Sequence, residues 1–162
     1  MTELATGLLH LTTPAATDAL AASLAPRLGV GDAVLLHGVV GAGKSHLARA
    51  LIRARAGEVG DIPSPTFTLV QTYPAEDLEI WHLDLYRLSD VQEVEELGLA
   101  DALTDALCLI EWPDRLGPLR PTRTLDLRLE LGEADTARVL HWATEGDGWD
   151  AVEKILTEGV AA

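Results

Sequence analysis

Eight consecutive residues, Gly38-Val39-Val40-Gly41-Ala42-Gly43-Lys44-Ser45, fit the pattern G-x-x-x-x-G-K-S/T and constrain the fold more than anything else in the chain. Such a loop turns backbone N–H groups inward around phosphate oxygens, and the helix after it adds the positive end of its dipole. Glycines serve where the chain takes positive φ and lies close against the ligand. The flanks suit the motif: the apolar run Ala33-Val34-Leu35-Leu36-His37 precedes it, and Leu47, Leu51 and Ala54 follow at helical spacing. A strand–turn–helix unit that binds a nucleoside triphosphate is therefore expected. Its nucleotide-binding set is Gly38, Gly41, Ala42, Gly43, Lys44, Ser45 and His46. Lys44 reaches the β- and γ-phosphates, and the Ser45 hydroxyl binds Mg²⁺.

Around this unit the pattern alternates between strand and helix. Leu8 to Leu11 reads as a short strand. Thr13-Pro14 opens a helix, with Thr13 as N-cap, that runs through Leu20 and Leu24 and ends or kinks near Pro26. The helix after the loop runs from Lys44 to about Ala56, and residues 57–65 read as loop. Thr66 to Tyr73 and Leu78 to Leu88 are strand candidates. Ser89-Asp90 caps a short helix, further helix reaches Ala106, and Leu107 to Ile110 is a fully apolar strand. Pro113 to Pro121 reads as loop. Leu125, Leu127, Leu129 and Leu131 alternate with polar residues, and a turn into Ala137 to Trp142 makes an antiparallel hairpin. Trp149 to Glu158 closes the chain as a helix. The prediction is one domain over residues 1–162, an α/β fold of three layers. Its central sheet is mainly parallel, with antiparallel edge strands.

Composition narrows the function classes. No run approaches the ~18 apolar residues of a membrane span, and the first residues lack a basic-then-apolar leader, so a cytoplasmic protein without membrane contact is expected. Cys108 is the lone cysteine, which leaves no internal disulfide and no cysteine metal cluster. The net charge is −14, from 12 basic and 26 acidic residues. That opposes autonomous nucleic-acid binding, whose affinity comes from neutralising phosphates. Arg49, Arg53 and Arg55 gather on the helix after the loop, whereas residues 76–105 carry ten acids and only Arg87 as base. The acidic stretch is either a solvated face or a surface for a basic partner.

A phosphate loop works with a further acid that holds or orients Mg²⁺. Leu107-Cys108-Leu109-Ile110-Glu111-Trp112 supplies one, since ligands of doubly wound sheets sit at the carboxyl ends of strands. In Ile80-Trp81-His82-Leu83-Asp84-Leu85-Tyr86-Arg87, alternation puts His82, Asp84 and Tyr86 on one face. Asp84 is then a candidate to orient the attacking water, accept its proton or hold a Mg²⁺-bound water; the competing reading is an edge strand with a solvated face. His82 reads as structural. Thr66 and Thr68, in Ser64-Pro65-Thr66-Phe67-Thr68, form either a switch loop that senses the γ-phosphate or a capped turn.

Taken in order, GVVGAGKS, SPTFTLV, HLDLYRL, EELGL and LIEWPDRL resemble the bacterial TsaE (YjeE) family of small ATPases, over about residues 8–142. The resemblance implies a role in synthesis of N6-threonylcarbamoyladenosine in tRNA, with the transferase TsaD and its paralogue TsaB as partners and tRNA contacted mainly through them. It implies that Lys44 and its loop hold ATP, that Ser45 and Glu111 bind Mg²⁺, and that Asp84 matches the family's essential aspartate. Trp112 matches the tryptophan beside the metal-binding glutamate, and Arg138 matches an arginine near the nucleotide. Two positions depart from the family: Val39 stands where an acid is usual, and His46 where a second hydroxyl residue is usual. Both bear on turnover rather than on phosphate binding, which the backbone provides. Among rivals, a GTPase of the usual form needs an Asn-Lys-x-Asp motif, and the chain has no asparagine. A small-molecule kinase is the alternative enzyme, with Arg115, Arg120 and Arg123 in a loop that suits a lid. A non-catalytic nucleotide switch is the third reading.

Overall fold

The structure, a computed structural model, describes residues 4–39, 41–57, 60, 62, 69–88 and 90–159. In chain order its elements are β1 (Leu4–Leu11), α1 (Pro14–Leu24), β2 (Ala33–His37), α2 (Lys44–Ala56), β3 (Val70–Pro74), β4 (Glu79–Asp84), α3 (Val91–Glu96), α4 (Leu99–Asp105), β5 (Leu107–Glu111), β6 (Thr124–Leu131), β7 (Arg138–Glu145) and α5 (Asp150–Glu158). Among the described residues the strands form one sheet in the order β1-β7-β6-β2-β5-β4-β3. β2 lies mid-sheet, parallel to β5 and β6, and β4 is parallel to β5. β3 pairs antiparallel with β4 at one edge, and β7 pairs antiparallel with both β6 and β1 at the other. The mainly parallel centre and antiparallel edges match the expectation.

Strand composition explains these positions. β2 and β5 are covered on both faces, so they read as unbroken apolar runs rather than alternating ones. Val34 and Leu36 join α1, α2 and α5 in the larger core cluster, with Leu20, Leu47, Leu51 and Val152, while Ala33 and Leu35 point to the opposite cluster with Val94, Leu99 and Leu116. Three layers follow from this two-residue period. Cys108 sits inside the second cluster, and burial pushes its thiol up to about 12, so it packs as a small hydrophobe. No described helix is long and apolar enough to cross a membrane.

Local signals are realised where a side chain can act on its own backbone. Thr13 caps α1, its hydroxyl accepting from the Ala16 N–H at 3.1 Å, and Pro26 falls in a 3-10 turn over Ala25–Arg27. Elsewhere the structure corrects the expectations. β1 begins at Leu4 rather than Leu8, because it pairs along its whole length with β7, which extends to Glu145. The strand expected over Leu78 to Leu88 stops at Asp84, whose carboxylate accepts from the Tyr86 N–H at 3.0 Å and starts a turn. β4 is also an interior strand, so the solvated edge reading of it fails. The short helix and the further helical stretch expected up to Ala106 are present as α3 and α4, separated at Gly98 with φ of 86°. Residues 113–119 form 3-10 turns instead of open loop, interrupted at Gly117. Of the strand expected from Thr66, Val70 onward is present, and residues 66–68 lie outside the described residues.

Candidate functional site

The loop after β2 joins strand to helix at the carboxyl end of the sheet. Gly38 has φ of 142°, and a Cβ there would stand 2.7 Å from the Leu129 carbonyl oxygen, so only glycine lets the chain leave β2 this close to β6. Gly43 caps α2 in the left-handed region, and no acid stands in the first turn of that helix. The first N–H groups of a helix have no intrahelical partner, which gives this end a positive field for an anion. Gly41 and Ala42 continue the loop, and Val40 lies outside the described residues.

Lys44 is buried and donates to the carbonyls of Gly38 and Val39, the latter at 3.2 Å. Its ammonium also lies 4.0 Å from the centroid of the Trp112 ring. Burial lowers the lysine's pKa from its ordinary value, and the Glu111 and Asp84 carboxylates pull it back up. Trp112 follows β5 with φ of 58°, a left-handed backbone uncommon for a bulky residue, and its ring meets that of Tyr86 at 4.8 Å. That turn brings the indole over the lysine.

The two predicted acids stand side by side. Asp84 ends β4 and Glu111 ends β5, and the two are Cα partners in the parallel ladder; Glu111 is also the partner of Leu36, just before the loop. Both are nearly fully buried. Ser45 Oγ donates to Glu111 Oε1 at 3.0 Å, which joins the hydroxyl and carboxylate expected to share a cation. His82, read from sequence as structural, donates its Nε2–H to Glu111 Oε2 at 2.6 Å. A cavity of about 430 Å³ is lined by Gly41, Gly43, Lys44, Ser45, Asp84 and Glu111, among others.

Arg49 lines the same cavity, and sequence reading did not assign it there. The available signal was its place four residues after Ser45, on one helix face. A helical side chain tilts toward the N-terminus, the direction of the loop for a residue on this helix, in keeping with its place in the cavity lining. Arg55, by contrast, is taken up by the Leu28 carbonyl and by Asp77. Arg138 reaches the loop from outside, its Nε donating to the Ala42 carbonyl at 2.9 Å and its Nη2 to the Gly41 carbonyl at 3.4 Å. It braces the loop's carbonyl side. His46 bonds to Asp18 of α1 at 2.9 Å and, with Thr17, Ala42, Asp135 and Arg138, lines a smaller cavity of about 190 Å³. Thr66 and Thr68 lie outside the described residues. Of the three arginines that suited a kinase lid, Arg120 bonds to Asp126 and Thr124, and Arg123 to Asp32 and the Asp147 carbonyl. Arg123 is thereby engaged at the end of β2 away from the loop, and Arg120 on a carboxylate that also bonds to His37 at 3.3 Å.

Comparison with known proteins points the same way. The profile of the family described as threonylcarbamoyl adenosine biosynthesis protein TsaE matches residues 11–140, which include every site residue discussed above. The tRNA threonylcarbamoyladenosine biosynthesis protein TsaE of Rickettsia bellii is 41% identical over 119 residues, covering 74% of this chain and 83% of that one. Its namesake in Rickettsia conorii is 44% identical over 114 residues, 70% of this chain and 65% of that one, and that of Haemophilus influenzae is 40% identical over 106 residues, 65% of each. The crystal structure of Bacillus subtilis YdiB superposes with a TM-score of 0.78 over 96% of this chain and 97% of that one, at 22% identity, a likeness of fold. By the extent of the profile match and the identity to these relatives, the chain belongs to the TsaE family.

Proposed function

We propose that this chain binds ATP with Mg²⁺ at residues 38–45 and hydrolyses it, and that hydrolysis serves formation of N6-threonylcarbamoyladenosine in tRNA by acting on a TsaD- and TsaB-like pair. The observation that carries the nucleotide half is the convergence of Lys44, Ser45, Asp84 and Glu111 on one cavity at the mouth of the loop. The tRNA half rests on family membership and on the names of the relatives.

The donor set fits Mg²⁺: a hydroxyl and carboxylates are hard oxygen ligands, too few for a full cage, which suits an ion that keeps waters and shares substrate phosphates. Ser45 and Glu111 would hold it, and when bound it neutralises charge on the β- and γ-phosphate oxygens. The protein's own groups do the rest. N–H groups of residues 41–46 bind phosphate oxygens, and Lys44, already poised on the loop, moves its ammonium onto the β- and γ-phosphates. Arg49 adds a second cation to the same cavity. The smaller cavity beside His46 and Arg138 leaves room for the rest of the nucleotide. Asp84 orients water in line with the γ-phosphorus and accepts its proton as the bond to the bridging oxygen breaks.

ATP binding and phosphate release, measured for the wild type, Lys44→Ala and Glu111→Ala with no acceptor present, test this reading. Lys44→Ala should weaken ATP binding about tenfold or more, the size of a lost charge-assisted hydrogen bond. Glu111→Ala should abolish most of the Mg²⁺-dependent hydrolysis. Unchanged affinity and hydrolysis in both variants would remove the assignment.

A further inference from the structure

His82 is fully buried, yet its polar atoms are not spread among neighbours. One ring nitrogen, Nε2, lies 2.6 Å from Glu111 Oε2, and the other, Nδ1, has no hydrogen-bond partner among the described residues. Burying an imidazole costs free energy unless its polar atoms are used, so the whole return on this residue comes through Glu111. An ionised carboxylate only accepts, which places the ring proton on Nε2. Glu111 in turn has each oxygen committed to a different donor: Oε2 to His82, and Oε1 to Ser45 Oγ at 3.0 Å. A glutamate with only one tether can rotate its terminal torsion, which is broad and nearly two-fold. With Oε2 pinned from inside the sheet, that rotation is closed, and Oε1 alone faces the loop mouth beside Ser45.

We infer that His82 is a positioning residue for the cation site: its Nε2–H fixes the Glu111 carboxylate so that Oε1 is presented with Ser45 Oγ to a divalent ion. It touches neither nucleotide nor ion. This is the arrangement in which a partner behind a ligand sets the ligand's geometry, and loss of such a partner typically costs about 10–100-fold in metal affinity. The register of β4 against β5 makes the contact possible, since His82 is the Cα partner of Leu109 and Asp84 that of Glu111. The histidine therefore reaches along its own strand's face to a carboxylate one step further up the neighbouring strand.

The inference rests on the Mg²⁺–ATP reading, so the test separates the two. Melting temperature is followed while Mg²⁺ is titrated in the presence of a non-hydrolysable ATP analogue, for the wild type, His82→Gln, His82→Asn and His82→Phe. Glutamine carries a donor near the Nε2 position, asparagine falls short of it, and phenylalanine keeps the volume without a donor. His82→Phe and His82→Asn should need about 10–100-fold more Mg²⁺ to reach half of the stabilisation. His82→Gln should stay within about threefold of the wild type, and affinity for the analogue without Mg²⁺ should be unchanged in all. If His82→Phe does not fold, the contrast between His82→Gln and His82→Asn decides alone. Equal Mg²⁺ dependence in His82→Gln and His82→Asn, whether wild-type or impaired, would overturn the positioning role and leave His82 as packing. A wild type that gains no stabilisation from Mg²⁺ with the analogue would instead overturn the nucleotide reading itself.

Discussion

Asp84 and Glu111 stand on adjacent strands and face one loop, but they are held differently. Glu111 is tied by both Ser45 and His82, one to each carboxylate oxygen. Asp84 ends its strand with Oδ1 accepting from the Tyr86 N–H, a bond that an amide oxygen would keep. Asp84→Asn should therefore fold and bind ATP like the wild type while losing the charge that accepts a proton. Hydrolysis is expected to fall about 10²–10⁴-fold, the usual worth of a positioned acid–base group. Melting temperature, ATP affinity and single-turnover hydrolysis measured on the same sample check this. Turnover at the wild-type rate in the folded variant would return Asp84 to a structural role. Trp112 belongs beside this pair, because its left-handed backbone places the indole against the Lys44 ammonium at the end of the strand that carries Glu111.

The loop between β2 and α2 is held from three sides: by β6 at Gly38, by Arg138 at Gly41 and Ala42, and by Lys44 from within. Gly38 and Gly41 both have positive φ, but their surroundings differ. An added Cβ at Gly41 meets nothing within 4 Å, whereas at Gly38 it would stand 2.7 Å from backbone. Gly38→Ala should therefore destabilise by about 1–3 kcal/mol, since the loop and β6 must part or the backbone must strain. It should also weaken ATP binding, because the cradle moves with the strand. Gly41→Ala should cost less in urea denaturation than Gly38→Ala. The reverse order would show that the close approach to Leu129 is not what holds the loop.

Charge acts on the molecule as a whole. With a net charge of −14, the chain repels a polyanion unless a partner supplies the cations. Arg49 gives the site a cation of its own next to Lys44, so the gain from a partner's arginine should be smaller than the 10³–10⁵-fold of other enzymes with phosphate loops. We expect slow hydrolysis by the isolated protein, a rise of about tenfold or more with a TsaD- and TsaB-like pair, and tRNA contact mainly through that pair. Titrating the pair into a steady-state phosphate-release assay, with and without tRNA, measures this. Tight binding of tRNA by the isolated chain at physiological salt, or a rate indifferent to the pair, would sink the partner-dependent mechanism and leave the nucleotide site standing.

Much of this protein was legible in short stretches of residues. The glycines and lysine of the loop, the unbroken apolar runs of β2 and β5, the alternation of β6 and the Thr13 cap each report a local requirement of backbone or burial, met within a few positions. Local pattern also placed Glu111 at a strand end. It could not say what that carboxylate would meet. The bond from His82 joins residues 29 apart, that from Ser45 joins residues 66 apart, and the Arg138 contact with Ala42 spans 96. Each depends on strand order and register, which are set by packing two faces of one sheet against helices. The same holds for Arg49, whose helix face points into the cavity only because Leu47, Leu51 and Ile52 bury the other side of α2. It holds too for Arg120 and Arg123, whose side chains are taken up by Asp126 and Asp32 rather than by the loop after β2. Periodicity tells a residue which way to face, and only the packed sheet determines what it faces.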